Sequence, residues 1–150
     1  MMRRPFHVLL MMRTAIFLTK YESLNDMREF VRQAAEDADM GDGDIYAIQL
    51  AVDEACSNVI EHACDGECEE QIEITCTTSD DRLTIMVRDH GEPFDPTSAP
   101  SPDLDAAIED RPVGGLGIFL IRQLMDEIRY ERLGTAGNVL TLVKYRKKAE

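Results

Sequence analysis

Two layers, with helices over one face of a mixed, mainly antiparallel sheet, are what this chain is expected to form: an α+β fold, a two-layer α/β sandwich. Three observations lead there. Short runs rich in β-branched residues come in adjacent pairs joined by turns. Two helical periodicities lie between the first run and the second, and a third apolar helix separates the two pairs of strands. A length of 150 residues, 44% hydrophobic and 30% charged, suits one domain with a single core and excludes wholesale disorder.

Thr14 to Lys20 (TAIFLTK) is rich in strand formers and predicts the first strand. From Leu24 to Met40 the apolar residues Leu24, Met27, Phe30, Val31, Ala34 and Ala35 recur at three and four, which predicts an amphipathic helix. Gly41-Asp42-Gly43 breaks it, and Asp42 or Asp44 is placed to cap the next helix. In that second helix Ile45, Ile48, Val52, Ala55 and Val59 form one stripe to bury against a sheet, and the helix should end near Ala63. Gln71 to Thr78 and Arg82 to Arg88 predict a hairpin around Ser79-Asp80-Asp81. His90 to Pro112 holds five of the six prolines and predicts a long functional loop, with a short helix from Leu104 to Ile108. Ile118 to Met125 predicts a third helix. Asp126 to Arg132 and Asn138 to Tyr145 predict closing strands around Gly134-Thr135-Ala136-Gly137.

Residues 1–13 are expected to be an irregular segment, with Met11 or Met12 as a candidate start. Arg3-Arg4 before an apolar run has the order of a signal peptide, but Arg13 interrupts it and no small-residue cleavage site follows. No stretch approaches the roughly 20 apolar residues of a membrane span. Sixteen Lys plus Arg against 29 Asp plus Glu give a net charge of −13, which opposes nucleic-acid binding and is compatible with a basic protein partner. Cys56, Cys64, Cys68 and Cys76 show no C-x-x-C spacing. A metal held by His62, Cys64 and Cys68 lacks an obvious fourth ligand, so reduced thiols in a cytoplasmic protein are expected.

Three short segments carry chemistry. Glu54 and Asn58 are four apart, one turn from each other on the second helix and expected to lie away from its buried stripe. A carboxylate that can take a hydroxyl proton, beside a hard carboxamide oxygen, suits magnesium-dependent phosphoryl transfer. The pair alone fits a solvated helix face equally well. Asp89-His90-Gly91 closes the third strand: the carboxylate can accept a hydrogen bond from an exocyclic amine, and the glycine lets a flat ring approach, although an Asx turn uses the same residues. Gly114-Gly115-Leu116-Gly117 precedes a helix whose free N–H groups and dipole favour an anion. It is neither a P-loop nor a dinucleotide fingerprint.

In this order, V-D-E-A-C-S-N-V-I-E-H-A, D-H-G-E-P-F-D-P and G-G-L-G-I-F-L-I-R-Q-L-M-D-E resemble the N box and the two G boxes of the Bergerat-fold (GHKL) ATPases, over about Thr14 to Tyr145. The chain is most similar to the stand-alone serine/threonine kinases that act as anti-sigma factors. That resemblance implies an ATP-binding kinase domain over residues 14–150, with ATP and Mg²⁺ as cofactors. Glu54 would be the general base and Asn58 the Mg²⁺ ligand. Asp89 and Gly91 would bind adenine, and Gly114, Gly115, Leu116 and Gly117 would wrap the phosphates. The segment from Glu92 to Val113 would be the ATP lid. Arg111 is the candidate for the terminal phosphate, with Pro112-Val113 altering its spacing. Many relatives carry Gly-Thr where this chain has Gly137-Asn138, with Thr141 nearby as a substitute hydroxyl; His62 is a further candidate beside the phosphates.

The implied partners are an anti-anti-sigma protein as substrate and a sigma factor to sequester, with no direct nucleic acid and no membrane. Met27, Phe30 and Val31 would serve either a homodimer or the core. Three other readings stay open: a non-catalytic ATP-gated binding switch, simple ATP hydrolysis, and the catalytic domain of a split histidine kinase. None of His7, His62 and His90 suits a phosphoacceptor helix.

Overall fold

The computed structural model describes residues 11–63, 68–91 and 115–146. The first strand, β1 (Met11–Thr19), starts before Thr14 because β2 (Cys68–Thr78) is long enough to offer ladder partners to its first residues, Met11 opposite Thr78 and Arg13 opposite Cys76. So residues 11–13, expected to be irregular, are strand. Helix α1 (Leu24–Asp37) stops short of Met40. Asp39 takes φ 60°, its N–H bonds the Glu36 carbonyl at 2.9 Å, and the Met40 N–H reaches the Ala35 carbonyl at 3.0 Å. This paired closure satisfies the last carbonyls and ends the helix.

Helix α2 (Asp42–Asn58) is capped by Gly41, without a side-chain cap. Asp42 and Asp44 instead sit in its first turn, where the helix dipole favours negative charge. From Val59 to Ala63 the helix widens into a π turn. Next come β2, β3 (Arg82–Asp89), α3 (Gly115–Leu124), β4 (Glu127–Arg132) and β5 (Asn138–Tyr145). Among the described residues these strands form one five-stranded sheet in the order β1-β2-β3-β5-β4. Every pairing is antiparallel, so the sheet is not mixed. The α+β, two-layer architecture is as expected.

The core lies between the sheet and the helices. Ile72, Ile74, Leu83, Ile85, Val87, Leu140 and Leu142 face Met27, Val31, Ile48, Val52 and Ile121. Alternate residues of each strand point the other way, as a period of two requires. Met27 and Val31 are fully buried and Phe30 packs edge-on against Phe17, so these residues build the core rather than a dimer surface. Cys56 and Cys76 are free and buried, their thiols pushed up to about 12 by burial, whereas Cys68 is disulfide-bonded. The expectation of reduced thiols therefore fails at Cys68, which is also removed as a thiolate ligand. The short helix at Leu104 to Ile108 and the segment from Glu92 to Val113 lie outside the described residues, as do Arg111, Gly114 and Cys64.

Candidate functional site

Two groups of polar side chains stand on the helix side of the sheet. The first is built by the β3–β5 ladder, whose register puts Asp89 directly opposite Asn138. Both are buried, at 9% and 4% exposure. The Asn138 Nδ2 donates to Asp89 Oδ1 at 3.1 Å and to the Gly91 carbonyl at 3.1 Å, and the Gly91 N–H donates to the same Asp89 Oδ1 at 2.9 Å. The Asx turn weighed above is thus present, but it occupies one carboxylate oxygen. Among the described residues no hydrogen bond reaches the other, Oδ2, which is left to accept from a ligand. Burial raises the Asp89 pKa, and the donors from Asn138 and Gly91 with the nearby His90 pull it back. Gly137 (φ 98°) passes so close that a methyl there would overlap the Asp89 carbonyl and come within 2.9 Å of His90 Nδ1.

The second group is held by helices. Asn58 is buried at 7% exposure, contrary to the expectation of a pair well off the buried stripe. The reason is a second apolar row on α2. Asn58 falls in line with Ala47 and Ala51, both buried small residues, so the packed arc of this helix is wider than the Ile45–Val59 stripe. The Asn58 Nδ2 is buried with no partner among the described residues. Glu54, one turn earlier, is half-buried, and its pKa is raised by burial first and then by the charges of Asp53 and Glu61. Asp53 itself pairs with Arg28.

Gly117 meets Glu54: a methyl on it would overlap Glu54 Oε2. Gly115 and Gly117 do not precede the helix as expected. Gly115, Leu116 and Gly117 are its first turn, and the N–H groups of a helix's first four residues have no intrahelical acceptor. They can face an anion beside Glu54 and Asn58.

Two further expectations are corrected. Thr141 lies an odd number of positions from Asn138, hence on the opposite face of the sheet, opposite Met86 and Arg129. It cannot stand in for the missing threonine. His62 sits in the π turn, 4.0 Å from Glu61, so its spacing of four from Asn58 no longer stacks it one α-turn above that side chain. Asn138 is the residue that sequence reasoning undervalued. Its signal was present, a polar residue after a Gly-containing turn, but its partner across the ladder was not readable.

Residues 17–144 match the family model described as the histidine kinase-like ATPase domain. The chain belongs to this family. It is 36% identical over 106 residues to the serine-protein kinase RsbW of Bacillus cereus (strain G9842), covering 68% of this chain and 64% of that protein. It is 32% identical over 110 residues to the serine-protein kinase RsbW of Bacillus velezensis, covering 68% and 65%. The match thus spans just under two thirds of the length of these curated relatives. Among solved structures, the RsbU and RsbW domains of Rv1364c from Mycobacterium tuberculosis share the fold, with a TM-score of 0.63 at 17% identity over 93% of this chain and 34% of that one. Among the described residues no helix is long and apolar enough to cross a membrane.

Proposed function

We propose that this chain is an ATP-dependent protein serine/threonine kinase that acts as an anti-sigma factor, phosphorylating a small anti-anti-sigma protein in the cytoplasm. The observation that carries the reading is that Gly117, in the first turn of α3, closes directly on Glu54, one helical turn from the buried, unpartnered amide of Asn58. The kinase name of the RsbW relatives points the same way. Asp89 and Gly91 would receive adenine, and the first turn of α3 the phosphates, with Gly114, Arg111 and the segment from Glu92 to Val113 completing the site as the resemblance implies.

The acceptor serine oxygen attacks the γ-phosphorus, the bond to the β–γ bridging oxygen breaks, ADP leaves, and the hydroxyl proton passes to Glu54. Burial makes Glu54 a better base than a solvated carboxylate, because its ionised form is less stabilised by water. The orphaned Nδ2 of Asn58 suits a phosphate oxygen as acceptor, and its hard carboxamide oxygen suits Mg²⁺. When bound there, Mg²⁺ would neutralise phosphate charge. The net charge of −13 suits a basic region on the sequestered sigma factor.

The test is transfer of labelled γ-phosphate to a purified anti-anti-sigma domain. The wild type should transfer it. Glu54→Gln should lose about 10²- to 10⁴-fold in rate while holding ADP within about threefold of wild-type affinity. Full-rate transfer by Glu54→Gln removes the base assignment. A wild type that binds ATP without transferring it leaves a nucleotide-gated switch instead.

A further inference from the structure

We propose that Asn138 is a positioning and specificity residue for the nucleotide base: its amide ties Asp89 Oδ1 to the Gly91 carbonyl and so reserves Asp89 Oδ2 for the exocyclic amine of a 6-aminopurine. The proposal rests on the ATP reading above.

A carboxamide nitrogen carries two hydrogens, and here each has its own acceptor at 3.1 Å, one on Asp89 and one on Gly91. A threonine hydroxyl has a single hydrogen and could serve one of them. The Asn138 side chain therefore does two jobs: it fixes the rotation of the Asp89 carboxylate, and it pins Gly91 just beyond β3. Asn138 and Asp89 are both buried, so the bond between them is not exchanged for hydration. Oδ1 takes donors from Asn138 and from the Gly91 N–H, which uses its capacity on the protein side. Oδ2 takes none among the described residues. A 6-amino group donates to such an acceptor; a 6-oxo group presents an oxygen to it and is repelled. Among the described residues, the ionisable groups facing Asp89 are His90, next along the chain, and the Cys56 thiol on α2. Neither supplies the neutral, directed donor that Asn138 does.

The experiment is calorimetric titration of wild type, Asn138→Ala and Asn138→Thr with ADP and with purine-riboside diphosphate, which lacks the 6-amino group, in the presence of Mg²⁺. Wild type should prefer ADP. Asn138→Ala should lose about tenfold or more in ADP affinity and change by less than about twofold toward the analogue, so that discrimination collapses. Asn138→Thr, which keeps one donor and a β-branched side chain suited to a strand, should fall between the two. Equal losses for both ligands in both variants mean that Asn138 only supports the fold, and overturn the proposal; so does unchanged ADP discrimination. A wild type that binds neither nucleotide overturns the ATP reading itself, a result distinct from either of these.

Discussion

Gly137 and Gly117 both lack room for a methyl group, yet what each would strike differs, and the difference separates the two ends of the site. At Gly137 the obstacle is the Asp89 backbone carbonyl, held in the β3–β5 ladder, and φ is 98°. At Gly117 it is the far end of the Glu54 side chain, which can swing away. The Asp89 end is thus built by strands, which fix Asp89 Oδ1 with two donors and leave Oδ2 as one directed acceptor. The Glu54 end is built by helix termini, with an orphaned amide at Asn58 and a carboxylate raised above its ordinary pKa. A flat base needs a rigid wall that offers it one directed acceptor. Reacting phosphates need groups whose remaining hydrogen-bonding capacity is spent on the substrate.

The largest effect expected from this contrast is at Gly137. Gly137→Ala should destabilise the fold by about 1–3 kcal/mol, since both the left-handed backbone and a fixed carbonyl oppose it. Thermal unfolding should show a drop of several degrees, together with weaker ADP binding. Gly117→Ala should do the reverse. It should leave the unfolding midpoint unchanged or slightly higher, because alanine favours helix by up to about 1 kcal/mol, yet lower phosphoryl transfer by about tenfold through displacement of Glu54. Equal stability losses at the two glycines would erase the distinction.

The smallest effect concerns Glu54 and pH. Because its folded-state pKa is raised, its ionised form opposes folding. Its contribution to stability is present below the unfolded carboxylate pKa and is lost as pH rises through the folded value. Glu54→Gln should therefore unfold at a higher temperature than wild type at about pH 8, and at the same temperature at about pH 4. A gain that persists in acid would mean that something other than charge burial is responsible.

Much of this architecture was written in local pattern. The alternation in Arg82 to Arg88 and the three-and-four spacing from Leu24 to Ala35 are short-range consequences of strand and helix geometry, and both elements formed where that geometry places them. Helix ends were less legible. The α1 stop depends on Asp39 adopting a left-handed turn, and the π widening after Asn58 follows no residue type that marks it. Of the candidate site, the Glu54–Asn58 spacing and the glycines of the third helix were readable, because one helical turn and one Gly-rich stretch suffice. The burial of Asn58 was not, because it depends on how wide an arc of α2 the rest of the molecule covers.

From the chain alone came the order of elements, the apolar faces, the acid–amide pair one turn apart and the family those segments resemble, all set by contacts between residues near one another in sequence. Asn138 against Asp89, 49 positions away, and Gly117 against Glu54 are products of packing. Strands that pair across so long a stretch of intervening sequence take their register from the whole sheet and its core, and no neighbouring residue encodes it.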